Sequence, residues 1–334
     1  MLSGLGRLGW SVPLPEVYVH HGAIMVSGFL GSLIALEKII PLKKAGFYVG
    51  PFLSAFSVVV FFIGEFNYSV MMIVLASLVL ISVYATYLKR QFSLYLLLAM
   101  IGAMCWFIGN VLLMWKRFYP AIFPWWMGFL LFTIVSERLE LTQFLPVTSK
   151  NKISLVVFLV VFLLGIILPF HGVGIYMAGL SLILISIWLM QHDVVRLTIK
   201  KDGLVRFTGL ALLCGYIAIL LEGIFLILLK DVAFGYDIVV HTFFLGFVFS
   251  MIFAHGPIIL PGVLGLTIKP YHPLFYLPLI TLHVSLLLRI AADAMLVPFG
   301  LRSVSGWISV GSILLYFILM LISTLRAIRH AKAH

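Results

Sequence analysis

Apolar runs of about 20 residues follow one another from end to end of this chain. Each can cross the hydrocarbon core of a bilayer as a helix, at about 1.5 Å of rise per residue. Few folds are open to such a chain. Hydrophobic residues make up 63% of its 334 positions and charged residues 10%, whereas a soluble domain carries about 25% charged residues. A soluble fold of this length is excluded.

The expected fold is therefore all-α, a polytopic transmembrane helix bundle of about eleven spans. We place them at about 17–36, 46–64, 68–88, 92–115, 120–141, 153–170, 173–191, 206–229, 238–260, 274–296 and 306–326. Glu65-Phe66-Asn67 reads as a tight hairpin between the second and third spans, and Pro169-Phe170-His171-Gly172 as another between the sixth and seventh. The connections are short, with no linker or internal repeat, so residues 1–334 read as a single integral membrane domain. The first sixteen residues hold Arg7 with several Gly and Pro but no apolar core before a cleavage site, so the first span is expected to be its own insertion signal.

The net charge of +11 does not point to nucleic acid, because Lys and Arg stand between spans and do not gather on one face among aromatics. Their distribution sets an orientation instead. With the N-terminus outside, the inner segments hold Lys38, Lys43, Lys44, Lys89, Arg90, Arg138, Lys150, Lys152, Arg196, Lys200, Lys201, Arg206, Lys269, Arg326, Arg329 and Lys332. The outer ones hold Arg7, Lys116, Arg117, Lys230 and Arg302. The positive-inside rule then gives N-out, C-in, in a cell inner (cytoplasmic) membrane, with Lys116-Arg117 running against the bias. Cys105 and Cys214 lie inside spans without metal-ligand spacing and read as small core residues.

An ionisable residue within a span costs about 2.5–3.5 kcal/mol on insertion scales, which makes each one a functional candidate. His20 and His21 of the first span, His171 of the hairpin, His241 of the ninth span, Glu222, Arg289, Asp293 and Glu65 fall toward the outer face. Glu37, Glu137, Arg138, Glu140, His192, His255 and His272 fall toward the inner face, and His283 near the middle. Neutral imidazole is a common ligand of heme iron. Two histidines from different helices at one depth can clamp a porphyrin edge-on, with an arginine on its propionates. His241 and His255 cannot serve one iron, because fourteen residues of helix separate them by roughly 21 Å in depth. His20 and His21 diverge by about 100°, so only one of the two can point inward.

The run His21-Gly22-x-x-Met25 resembles the His-Gly-x-x-Met segment of heme-copper oxidase subunit I, in which the histidine is an axial ligand of the low-spin heme. The ninth span, from Asp237 through His241 to Met251, resembles the helix of that family that supplies the other axial ligand. The two helices are eight apart in order in the family and here. Arg289 falls where the next family helix leads to its propionate-binding arginines, and His171 in the hairpin matching one that carries copper ligands. The chain is also similar to the NnrS family, heme- and copper-containing membrane proteins linked to nitric oxide. The resemblance implies an oxidase-like topology lacking the family's first helix, and a bis-histidine heme b near the outer face held by His21 and His241. Arg289 would meet the propionates, and Gly22 and Gly28 would admit the flat macrocycle. His20, Glu222 and Asp293 would stand behind the ligands, with His171 near a second metal such as copper.

The chain departs from the oxidases where copper and a second heme would need their ligands. The fifth span has no histidine, His171 is single, and position 243 is Phe. If there is turnover, it is that of a degenerate heme-copper oxidase or nitric oxide reductase-like oxidoreductase. The expected role is electron transfer, or binding of or response to nitric oxide or oxygen, with lipids and a redox partner or gaseous ligand as partners. Simpler readings stand beside these. The histidines can be solvated helix ends, Arg289 can pair with Asp293 one turn away, Glu222 can bond across helices, and the Trp125-Trp126 pair can face lipid. The competing function is a small-solute transporter or channel with Glu222 and Arg289 in its path.

Overall fold

A computed structural model of the protein describes Gly4, Gly6, residues 16–295 and residues 299–333. Arg7 and the side chain of Lys332, counted above among the loop charges, lie outside the described residues. Among the described residues there is no strand. Eleven helices there are long and apolar enough to span a membrane: α1 (His21–Leu42), α2 (Ala45–Phe62), α3 (Phe66–Arg90), α4 (Leu94–Lys116), α5 (Tyr119–Phe144), α6 (Ser149–Ile167), α7 (Phe170–His192), α8 (Gly203–Leu228), α9 (Gly235–Val263), α10 (Pro273–Ala294) and α11 (Gly300–Arg329). The chain is a multi-pass, all-α membrane protein.

The span ends follow the apolar runs within a few residues, and the larger differences have local causes. A short helix, Glu16–Val19, precedes α1, and His20 breaks between them at φ −93°, ψ 10°. The far end of α1 runs past Lys38 because that ammonium is neutralised by Glu37 at 2.8 Å and Glu137 at 2.6 Å. The α2–α3 turn falls at residues 63–65, where Gly64 takes φ +87°, so Phe66 and Asn67 belong to α3 and not to the hairpin. Arg117, one of the outer pair that runs against the charge bias, is pinned there. It donates to Asn67 Oδ1 at 2.7 Å and stands 4.6 Å above the Phe66 ring.

By its contacts the chain forms two compact units, Met1–Glu140 and Leu141–His334. In the first, α1 packs on α2, α2 on α3 and α3 on α4. A buried polar network joins several of these helices. Asn110 of α4 accepts from Ser27 Oγ at 2.9 Å and from Trp126 Nε1 at 3.0 Å, and donates to Ile73 O at 3.1 Å. Trp106 Nε1 donates to Ser27 Oγ at 2.9 Å. Trp126 is thus not the lipid-facing aromatic expected of it: it is 2% exposed, because its indole N–H finds an acceptor inside. Asn110→Ala removes three bonds at once and is expected to cost about 2 kcal/mol in detergent unfolding. Ser82→Ala, whose exposed hydroxyl bonds only its own helix at Leu78 O, is expected to leave the midpoint unchanged.

In the second unit α6 packs on α7, α7 on α8, α8 on α9 and α10 on α11. Thr148 caps α6 by accepting from Asn151 N at 3.3 Å. The α7–α8 pair approaches closely. A Cβ on Gly223 would fall 2.5 Å from Gly179 O, and one on Gly179 would fall 2.7 Å from Gly223 O. Tyr316 ties α11 to α9, its ring stacked 4.0 Å from Phe253 and its hydroxyl donating to Phe253 O at 3.0 Å.

Candidate functional site

Three stretches among the described residues depart from the α-helix: Ile24–Gly31 winds as π-helix, Phe170–Gly174 is kinked at Gly172, whose φ and ψ are not helical, and Thr242–Val248 winds as π-helix. The first begins one turn after His21, the second contains His171, and the third follows His241 directly. The π conformation makes up well under 1% of residues in ordinary proteins and collects at functional sites. Wider winding loosens carbonyls from the α-helical ladder, and buried carbonyls need donors. Serines supply them here. Ser54 Oγ donates to Ser27 O at 2.5 Å, Ser32 Oγ to Gly28 O and Phe29 O at 2.8 Å each, and Ser250 Oγ to Gly246 O at 2.6 Å.

Within the first unit His20 packs between neighbouring helices. Its Nδ1 meets Tyr119 Oη at 3.0 Å, and its ring centroid lies 4.7 Å from that of Phe66 and 5.4 Å from that of Phe61. The His21 ring lies against Gly4, where an added Cβ would come within 2.9 Å of its Cε1. The glycines assigned to a flat macrocycle have other neighbours. The open side of Gly28 is filled by Val58 of α2 and that of Gly31 by Trp106, so there glycine lets helix and indole approach. At Gly22 an added Cβ would make ordinary contacts, 3.4 Å to Trp126 and 3.5 Å to Tyr119.

In the second unit His241 lies in the first turns of α9. Its Nδ1 is 2.8 Å from Asp237 O and 3.4 Å from Asp237 Oδ1. Donation to that carbonyl puts the ring proton on Nδ1 and the lone pair on Nε2, the arrangement that orients ligating histidines in metal and heme sites. Asp237 is itself held from α10: Arg289 Nε donates to Oδ2 at 2.7 Å and its Nη2 to Oδ1 at 3.0 Å. This fork replaces the Arg289–Asp293 pairing that one-turn spacing suggests. Asp293 takes Arg302 Nη2 at 2.6 Å instead, while Arg302 also lies 3.9 Å from Asp237 Oδ2 and 4.2 Å above the Phe234 ring. The chain Arg289–Asp237–His241 is what the structure adds here. Asp237 could have been singled out earlier, since it stands four residues before His241 on one helix face. Arg302 carried no such signal.

Gly215 and Ala218 of α8 face α9: a Cβ on Gly215 would be 3.3 Å from Ser250 Cβ, and one on Gly246 2.7 Å from Ala218 Cβ. Glu222 stands one turn further along that face. It is wholly buried, and neither carboxyl oxygen has a hydrogen-bond partner among the described residues. The bond from a ligand imidazole assigned to Glu222 is therefore not made, and the Asp237 carbonyl serves His241 in its place. His171 is exposed in the first turn of α7, beside Gly172 at φ −113°, ψ −124°. His283 Nδ1 lies 2.9 Å from Leu279 O and its Nε2 3.3 Å from Ser250 Oγ, and His255 Nδ1 bonds Met251 O at 2.6 Å. Among the described residues no group of three or more His, Cys, Asp or Glu could hold a metal ion.

An all-helical polytopic membrane protein, with polar clusters at its helix ends and π turns beside its histidines, is the class these features define. The chain belongs to the family described as Domain of unknown function (DUF8744), whose model matches residues 1–325. No curated protein and no solved structure matches it.

Proposed function

We propose that the protein binds heme b in the cytoplasmic membrane and uses it in electron transfer or in binding a diatomic gas. One observation carries this reading: His241 opens a π turn with Nδ1 turned onto the Asp237 carbonyl, so that Nε2 is its ligating nitrogen. The donor chemistry fits an axial heme ligand, and the resemblance of the run His21-Gly22-x-x-Met25 offers His21 as the second. Bound heme would supply a one-electron couple and, at an open iron position, a site for nitric oxide or oxygen. The protein's own groups hold the ligand still. Arg289 fixes Asp237, and Asp237 fixes the tautomer and rotation of the His241 ring. With its fork on Asp237, Arg289 acts here as a positioning residue and leaves a propionate to be met elsewhere. Among the described residues no three-donor group for copper is assembled.

The protein purified in detergent is expected to show a Soret band with sharp reduced α and β bands. His241→Ala and His21→Ala are each expected to abolish or shift them, and His283→Ala to leave them in place. A colourless preparation, even when expressed with added heme, would overturn the proposal. Glu222, buried without a partner, favours the alternative of a small-solute transporter. Solute flux by a colourless protein, lost in Glu222→Gln, would establish that reading.

A further inference from the structure

At one end of the second unit an open cleft of about 880 Å³ lies between the turn at residues 145–147 and the segment that leaves α7. We infer that it binds the headgroup of a phospholipid carrying both a phosphate and a primary ammonium, such as phosphatidylethanolamine.

The cleft has two kinds of charge, arranged by depth. At its rim stand Arg196 and Lys200, both exposed. Among the described residues Arg196 donates only to Gln191 O, at 3.2 Å, and Lys200 makes no ion pair, so both cations remain available to an anion. In its wall is Asp193, 3% exposed. Its Oδ2 accepts from Tyr216 Oη at 2.5 Å, whereas Oδ1 is buried with no hydrogen-bond partner among the described residues. A buried carboxylate oxygen without a donor is costly, and an N–H seated against this wall would relieve that cost. Two cations outside and one carboxylate inside fit a zwitterion whose positive end is the deeper one.

His192, which also lines the cleft, is occupied internally. Its Nε2 meets Asn151 Nδ2 at 2.8 Å, its Nδ1 meets Trp188 O at 3.1 Å, and its ring stacks on Trp188 at 4.9 Å. It forms a rigid side of the cleft and is not a binding group. Val147 and Met190 add apolar surface, as a glycerol and upper acyl chain require. The cleft sits where α7 ends at His192, at the level where spanning helices meet headgroups. That placement and the apolar wall favour a membrane lipid over a free phosphorylated amine.

The test is lipid binding to the full-length protein by native mass spectrometry, with dioleoyl phosphatidylethanolamine, phosphatidylcholine and phosphatidylglycerol as probes. A trimethylammonium group has no N–H, so the choline lipid is expected to bind about tenfold more weakly than the ethanolamine lipid. Asp193→Asn, which keeps an acceptor for Tyr216, should erase that preference, while Arg196→Ala with Lys200→Ala should weaken all three lipids. Equal binding of the ethanolamine and choline lipids by the unaltered protein would overturn the proposal without recourse to any variant. So would tighter binding of phosphatidylglycerol, or a preference that survives Asp193→Asn. Soluble phosphoethanolamine at millimolar concentration should not displace the lipid; if it does, the lipid source is wrong.

Discussion

Arg289→Leu is expected to lower the stability of the detergent-solubilised protein by about 2–4 kcal/mol. The substitution strands Asp237, whose two oxygens are held by one guanidinium fork at 2.7 and 3.0 Å. Arg302, 3.9 Å away and already bonded to Asp293, replaces only part of that. The cost stays below that of a fully buried pair because the Asp237 side chain is 27% exposed. Arg289→Lys keeps the charge without the fork and should lose about half as much. Arg289→Leu with Asp237→Leu should cost clearly less than the two single changes added together, since no charge is left unpaired. Strict additivity, or an unmoved midpoint for Arg289→Leu, would show that the pair is not coupled. In the heme reading the same variant should also broaden the reduced α band, because the carbonyl acceptor of His241 sits on the residue that Arg289 anchors.

Gly223→Val should be comparably damaging for a steric reason. The atom it would strike is backbone, Gly179 O at 2.5 Å, with Ile183 N at 3.0 Å, and backbone cannot turn aside as a side chain can. The α7–α8 pair must then separate by roughly 1 Å, giving up contacts along its length at a cost of about 2–4 kcal/mol. Gly223→Ala should lose part of this. Gly262→Ala meets nothing within 4 Å and should leave the unfolding midpoint where it is. If Gly223→Val unfolds at the same point as the unaltered protein, the helices do not approach as closely as described.

The helices were legible because a span is defined by a one-dimensional quantity, the length of an apolar run against the thickness of a bilayer. Where that reading slipped, the cause was distant in one case and local in the other: Glu137 carries α1 past Lys38, and Gly64 moves the α2–α3 turn toward the N-terminus. The candidate site was legible only in part. His21, His171 and His241 were marked out as ligand candidates by their positions; His21 and His241 lie beside π segments and His171 beside the kink at Gly172. The partners were not legible. One-turn spacing offers Asp293 to Arg289, yet the guanidinium reaches 52 residues back to Asp237. Ser54, which satisfies the carbonyl of Ser27, lies 27 residues away on another helix, and no local pattern advertises it.

Local hydropathy along this chain was enough to establish a multi-pass helical membrane protein and the approximate ends of its spans, since each apolar run meets the bilayer independently of the others. Which polar groups share a bond was decided in three dimensions. A buried donor or acceptor takes whatever partner helix packing brings within about 3 Å, and that choice depends on the rotation and register of whole helices, which a run of apolar residues does not encode.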